Sequence, residues 1–268
     1  MPTIEDVREF WDSSPLWTGE SGEEPGSKAF FDSHTRAVVE MAGGQIKPWM
    51  MPACAKDGAV LDLGCGIGFW LENYGRAGFS NLTGADLSQN SLSLAKRRCE
   101  LNGIDASLSI QNAEAMTFAN NTFDHINCCG VIHHSPNPPA SINEIYRVLK
   151  PGGTAVIGVY YKNALLRMWP ILRAIRFALP SLKGRGRERM LESKSVDELV
   201  RLYDGNENPI GVAFSRAKFE AMLPVKASFH YSSFPSRILP IKLSGRALGT
   251  IERMMPFMIS AVIKKRIY

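Results

Sequence analysis

A doubly wound α/β fold, seven strands in a mostly parallel sheet with helices on both faces, is predicted for this 268-residue chain by three features of its sequence. Short apolar segments alternate with longer amphipathic ones between residues 59 and 160, the spacing of strand–helix–strand units. The first apolar segment, Ala59 to Leu63, runs into a turn with glycine at every second position: Gly64, Gly66 and Gly68. The second, Leu82-Thr83-Gly84-Ala85, ends on Asp86. A hydrophobic content of 45% is enough for one well-buried domain with additions, and a second full domain is not expected.

Residues 4–12 read as a short helix ahead of Ser13-Ser14-Pro15 and a loop over 19–26. A second helix is expected over Phe30 to Met41, stopped by Gly43-Gly44. Strands are expected over 59–63, 81–85, 106–110, 123–129 and 154–160, with helices over 69–77, 89–102 and 138–149. Ser88 offers an N-cap oxygen and Gly103 a C-terminal stop, while Pro151-Gly152-Gly153 turns the chain into the fifth strand. Beyond Tyr161, the residues Leu165, Met168, Trp169, Leu172, Ile175 and Leu179 fall on one helical stripe, interrupted by Pro170. There follow a charged segment from Lys183 to Lys194, a helix from Ser195 to Tyr203, and a loop from Asp204 to Pro209. A helix from Arg216 to Leu223 then precedes strands over 225–231 and 257–264. The organisation expected is an N-terminal helical lid (1–50), a ligand-binding core (51–160), a helical basic and apolar insertion (161–212), and the C-terminal part of the core sheet (213–268).

Glycine admits backbone angles closed to other residues and lets a ligand lie against the main chain. A glycine-rich strand-to-helix turn, with an acid at the tip of the next strand, grips a nucleoside: the turn approaches the ligand and the carboxylate accepts the ribose hydroxyls. The dinucleotide pattern needs glycines at positions one, three and six. Here they stand at one, three and five, and the sixth position is Phe69. A bulky ring there obstructs a pyrophosphate, so the expected ligand is a nucleoside without phosphates, and a nicotinamide oxidoreductase is set aside.

Four ordered blocks carry a family resemblance. They are Val60-Leu-Asp-Leu-Gly-Cys-Gly-Ile-Gly68; Gly84-Ala-Asp-Leu-Ser88; Asn112-Ala-Glu-Ala-Met-Thr-Phe118 with Thr122-Phe-Asp124; and Gly130-Val-Ile-His-His134 leading to Glu144-Ile-Tyr-Arg-Val-Leu-Lys-Pro-Gly-Gly153. The stretch Val60–Gly153, about a third of the chain, resembles the class I S-adenosylmethionine-dependent methyltransferases, and within them the small-molecule group that includes the ubiquinone and menaquinone C-methyltransferases. The resemblance implies a Rossmann-like core, S-adenosyl-L-methionine as cofactor with S-adenosyl-L-homocysteine as its product, and a small-molecule acceptor.

It also implies a site. Gly64, Cys65, Gly66 and Gly68 would back the methionyl and ribose portions, Asp62 would orient the loop or the methionine ammonium, Asp86 would take the ribose, and Leu87 would flank the adenine. Asn112 stands where the family usually has aspartate, so its oxygen is expected to accept from the adenine amino group without charge. Ala113 would offer its amide to adenine N1, Glu114 would stand at the adenine edge, and Gly130 would give access near the sulfonium. Direct displacement needs orientation and exclusion of water more than catalytic side chains. The candidates for a general base are His134 and, behind it, His133, because imidazole titrates near neutrality; Tyr160 is the pocket residue expected beside them. Cys128 and Cys129 are expected to be packed thiols. Phe10, Trp11, Trp17, Phe30 and Phe31 make the N-terminal segment an aromatic cover for a hydrophobic acceptor.

The net charge of +5 is unevenly spread: Arg167, Arg173, Arg176, Lys183, Arg185, Arg187 and Arg189 face a single acid, Glu188, between 167 and 189. Peripheral membrane contact through 164–189 competes with burial of the apolar stripe on the sheet edge, the reading preferred here. Nucleic acid is the weaker partner class, since no RNA-binding module or aromatic platform is visible. A protein that binds the cofactor as a regulatory ligand is the third alternative. The five cysteines have no metal-ligand spacing and no disulfide pattern, the N-terminus lacks an export signal, and no stretch has 18 uncharged apolar residues. A cytoplasmic location is therefore expected, and no metal.

Overall fold

The computed structural model describes residues 2–174, 192–233, 250 and 254–267. Its sheet runs β3-β2-β1-β4-β5-β7-β6. The strands are β1 (Val60–Leu63), β2 (Leu82–Asp86), β3 (Ser107–Ile110), β4 (Phe123–Cys129), β5 (Leu149–Tyr160), β6 (Ala227–Ser232) and β7 (Met258–Lys264). Pairs from β3 through to β5 are parallel, while β7 runs antiparallel between β5 and β6. The strand order reverses between β1 and β4, the switch point at whose carboxyl edge such sheets hold their ligands. β1 is buried along its whole length, as a central strand covered on both faces must be.

Helices α3 (Phe69–Arg76), α4 (Gln89–Asn102) and α5 (Pro138–Val148) connect the core strands. Ser88 Oγ accepts from the amide of Ser91 and Gly103 ends α4 in the left-handed conformation, as the sequence predicts. The fifth strand starts earlier than expected, at Leu149. Its register against β4 shifts between Phe123 and His125, and that irregularity absorbs Pro151-Gly152-Gly153 within the strand.

Ahead of the core lie α1 (Ile4–Ser13) and α2 (Lys28–Met41). Phe30, Phe31 and Trp17 are buried together with Ile67 of the glycine loop, so most of the N-terminal aromatic residues are core. After β5 come α6 (Ala164–Arg167) and α7 (Trp169–Ala174), with Pro170 in the first turn of α7, where a proline costs no hydrogen bond. The stripe read from the sequence divides here: Trp169 is buried, whereas Leu165 and Met168 are exposed. Ile175 and Leu179 lie outside the described residues. Helix α8 (Val196–Tyr203) buries Val196, Leu199, Val200 and Leu202 against Tyr160 and Trp169. Helix α9 (Arg216–Glu220), ahead of β6, is shorter than the sequence predicts.

A fully buried arginine fastens the N-terminal helices to this core. Arg98 on α4 donates through Nε to Glu72 on α3 at 2.5 Å and through Nη2 to Thr35 on α2 at 2.6 Å, and its Nη1 lies 3.2 Å from His34 Nδ1. The guanidinium also stands over the rings of Phe31 and Phe69. Three helices converge on one cation, and removing it leaves the mostly buried Glu72 carboxylate with the exposed Arg76 as its remaining ion-pair partner. Arg98→Leu is expected to lower stability by about 3 kcal/mol in urea unfolding. Glu72→Leu added to it should recover part of that loss.

Candidate active site

The crevice is built from the glycine loop upward. Gly64 and Cys65 both donate their amides to Ala85 O, at 2.6 and 3.0 Å, which pins the loop to the end of β2. Gly64 has φ +72°, and a Cβ there would stand 2.2 Å from Val131 Cγ2, so only glycine lets the loops after β1 and β4 approach this closely. Gly68 caps α3 with φ +80°, and its Cβ would meet the Ala95 backbone at 3.1 Å. The Gly66 amide donates to Asp86 Oδ2 at 2.8 Å, and the Ser88 amide to Asp86 Oδ1 at 3.0 Å. Asp86 therefore holds the loop and the start of α4 as well as facing the crevice. Burial raises its carboxyl above the ordinary range, against the hydrogen bonds from Ser88 and Gly66, and Asp12 adds to the rise. Asp12, near the end of α1, accepts from Ser88 Oγ at 3.0 Å and from the Asn90 amide at 2.9 Å, which seats α1 over the N-terminus of α4.

Asp62 sits beneath the crevice rather than in its wall. Its Oδ1 accepts from Asn127 Nδ2 at 2.7 Å, and its Oδ2 is buried with no partner among the described residues. Desolvation lifts its carboxyl to about 7, opposed by the Asn127 hydrogen bond and assisted by the charge of Asp86.

A cavity of about 400 Å³ opens above these residues. Gly64, Cys65, Gly66, Asp86, Leu87, Asn112, Ala113, Glu114 and Gly130 all line it, whereas Gly68 does not. Two of these residues are also held by the protein itself. Asn112 Oδ1 accepts from the Glu114 amide at 2.9 Å, which leaves the oxygen's second lone pair and the amide NH2 open to a ligand. Glu114 Oε1 accepts from Ser135 Oγ at 2.5 Å and from the Asn137 amide at 2.8 Å, which ties it to the loop ahead of α5.

The far end of the cavity is apolar and aromatic, with Trp11, Trp49, Trp70, Tyr203, Phe257 and Met258 in its wall. His134 and Tyr160 join it there; His133 does not. His133 is fully buried, neither ring nitrogen has a partner among the described residues, and burial pushes its pKa far down, so it remains neutral. That environment corrects its expected role as a base. Cys128 is buried in the main core, and Cys129, which lines the cavity, has its thiol pushed up to about 12 by desolvation, so neither supplies a thiolate. Asp204 was beyond the reach of sequence reasoning. Both its oxygens accept from Tyr160 Oη, at 2.9 and 2.8 Å, and its Oδ2 lies 3.4 Å from His134 Nε2. Nothing local marks a loop aspartate 44 residues after Tyr160 as its partner.

This fold and this crevice define the class. Residues 61–157 match the family model described as a methyltransferase domain. Over those residues the chain is similar to the class I S-adenosylmethionine-dependent methyltransferases. Among curated relatives, a ubiquinone biosynthesis O-methyltransferase of Psychrobacter cryohalolentis is 32% identical over 119 residues, covering 43% of this chain and 46% of that protein. Cycloartenol-C-24-methyltransferase 1 of Oryza sativa is 30% identical over 138 residues, 51% of this chain and 36% of that protein. The chain thus spans less than half the length of either relative. Two solved structures share the fold along most of the chain. An S-adenosylmethionine-dependent methyltransferase of Methanosarcina mazei has a TM-score of 0.56 at 19% identity, covering 80% of this chain and 95% of that one. The [4+2]-cyclase SpnF has a TM-score of 0.58 at 15% identity, covering 100% and 97%.

The residues present fit S-adenosylmethionine on their own evidence. Asp86 faces the crevice, the glycine loop brings bare backbone to its floor, and the unpartnered Asp62 Oδ2 lies below it, an acceptor suited to a cationic or water-bridged donor.

Two outcomes follow for the acids. Asp86→Ala is expected to weaken S-adenosylmethionine binding by about 2–3 kcal/mol by calorimetry, the scale of charge-assisted bonds to two hydroxyls; an unchanged affinity removes Asp86 from the site. Asp62 has a folded pKa near 7 against an ordinary 3.8. Between those two values the folded state keeps a proton that the unfolded chain has lost, so raising the pH favours unfolding; above about 7 the penalty is constant. Asp62→Asn should flatten that part of the stability–pH curve in urea titrations of the cofactor-free protein.

Proposed function

We propose that this protein transfers a methyl group from S-adenosylmethionine to a small, hydrophobic acceptor. The observation that carries the reading is the single cavity that joins the glycine loop and Asp86 at one end to an aromatic, apolar wall at the other. When bound, the cofactor supplies an electrophilic methyl carbon. The chain's own residues position and exclude: Gly64, Gly66 and Asp86 hold the nucleoside, Asn112 meets the adenine edge, the Ala113 backbone and Leu87 bound the base, and Asp62 supports the loop from below. Gly130 stands at the turn out of β4, next to the acceptor end, and Trp11, on α1, closes over His134 with ring centroids 5.2 Å apart, which keeps water out. His134 and Tyr160 meet the acceptor.

Segment 1–50 acts as the cover, and the insertion contributes Tyr203 and Asp204 to the acceptor wall. Leu165, Met168 and Ile171 are exposed at helical spacing beside a sequence rich in arginine, which supports peripheral contact with anionic membranes, where a lipophilic acceptor would dissolve. No helix among the described residues is long and apolar enough to cross a membrane.

A second reading has RNA as the acceptor, for which the arginine-rich stretch after β5 speaks, or an enzyme that works with a protein activator, for which one likeness speaks. A protein solved in complex with the Haloferax volcanii methyltransferase activator Trm112 shares the fold over 98% of both chains, with a TM-score of 0.61 at 17% identity. Labelled methyl transfer into a metabolite and lipid extract, beside a tRNA pool, separates the two. The expected result is label in an extractable small molecule; label in tRNA alone, or tight cofactor binding with no turnover in either, overturns the proposal.

A further inference from the structure

Across β4, β5, β7 and β6 the cavity has a floor of neutral polar side chains, whose β6 and β7 members lie outside the stretch that matches the family model. Cys129 on β4, Gly158 on β5, Ser260 on β7 and His230 on β6 are successive cross-strand partners. Two residues nearer the carboxyl edge, Tyr160, Met258 and Ser232 follow in the same order. Ladder partners, and residues two apart on one strand, share a face of the sheet. Both rows therefore look the same way, and Cys129, Ser260, Tyr160, Met258 and Ser232 all line the cavity. Gly158 lets the first row close. A Cβ there would stand 3.0 Å from Cys129 Sγ and 3.1 Å from Ser260 Oγ, so thiol and hydroxyl come together over bare backbone.

The first row carries no charge near neutral pH: desolvation pushes the Cys129 thiol up to about 12 and lowers the pKa of His230. Ser260 and Ser232 are only 3% and 4% exposed, so their hydroxyls face the cavity rather than bulk water. Ser260 has the Cys129 thiol beside it, a weak partner, and the Ser232 hydroxyl has no partner among the described residues. A buried hydroxyl left without a strong partner marks a place for a ligand atom. At the outer end, Trp49 lines the cavity and stacks on His230, with ring centroids 4.5 Å apart and planes within 9° of parallel. The stack holds the indole as a flat wall beside the hydroxyls.

We propose that Ser260 and Ser232 are specificity-determining residues, which hydrogen-bond a neutral oxygen substituent, carbonyl or hydroxyl, on a flat acceptor ring lying against Trp49. The inference deepens the methyl-transfer reading above and rests on it. A serine hydroxyl both donates and accepts, so either kind of oxygen is served. An anionic acceptor is rejected, because its charge would be desolvated over this floor with no cation beside it and with the Asp204 carboxylate in the same cavity.

Three probes that share one ring system test this: naphthalene, 1-naphthol and 1-naphthoate, each titrated by its own fluorescence into the full chain saturated with S-adenosylhomocysteine. Wild-type protein should bind 1-naphthol about fivefold more tightly than naphthalene, the scale of one neutral hydrogen bond, and 1-naphthoate about tenfold more weakly than 1-naphthol. Ser260→Ala combined with Ser232→Ala should erase the naphthol preference and leave naphthalene affinity within about twofold. Should that pair fail to fold, each single substitution should remove part of the preference, as should Gly158→Ala, which displaces the Ser260 hydroxyl without deleting it. Trp49→Ala should weaken naphthalene and 1-naphthol alike, by about tenfold. A wild-type protein that binds none of the probes, or does not prefer 1-naphthol to naphthalene, overturns the proposal. So do serine variants that keep the full preference, and 1-naphthoate binding as tightly as 1-naphthol. Failure to bind S-adenosylhomocysteine by calorimetry removes the methyl-transfer reading instead, and the same titrations without it then judge the polar floor on its own.

Discussion

The close approach of the loops after β1 and β4 is the constraint on which the rest of the site depends. A side chain at Gly64 would overlap Val131, so the crevice exists only while that position is bare backbone. The loop so placed is held by Ala85 O and by Asp86, the two ends of one short hydrogen-bonded web. The same carboxylate that would meet a ribose thus also sets the shape of the surface it meets. Preorganisation of this kind suits a displacement reaction, in which orientation supplies most of the acceleration and side-chain chemistry little.

Around that fixed centre the molecule adds elements whose attachment is ionic and polar rather than purely apolar. Arg98 draws α2 and α3 onto α4, and Asp12 seats α1 at the N-terminus of α4. These contacts carry Trp11 to His134, so the cover over the acceptor end is tied to the strand-to-helix turn that carries Asp86. On the opposite side, the return of residues 208–214 alongside the end of β5 places Asp204 and Ile210 O around the same histidine. The end around His134 is therefore an assembly of the N-terminal helices, the β4 loop and the insertion, while the glycine loop and Asp86 come from the core. That SpnF, a cyclase, shares the fold is a reminder that the sheet does not choose the reaction; the acceptor end does.

Legibility followed locality. Every core strand and the three connecting helices could be read from apolar period, Ser88 and Gly103, because each depends on neighbours within a few residues. The glycine loop and Asp86 were readable for the same reason. The roles of individual polar groups were less so. Asn112 Oδ1 accepts from the Glu114 amide within its own turn, a bond that the block of residues does not announce. His133 and His134 are adjacent and chemically identical in sequence, yet one is sealed in the core and the other opens on the cavity. A tight turn of helix at Ile132–His134 decides between them, and no composition signal records it.

By itself, then, the chain's order of residues determined the parallel core, the position of the nucleoside crevice and the class of its ligand, since glycine spacing and strand-end acids act through backbone geometry that is the same wherever they occur. Tertiary structure alone decided which histidine opens on the cavity, that Asp204 stands beside it, and that the apolar stripe after β5 is split between core and surface. Those outcomes turn on side chains separated by tens of residues whose distances only packing fixes, and packing is a property of the whole assembled molecule.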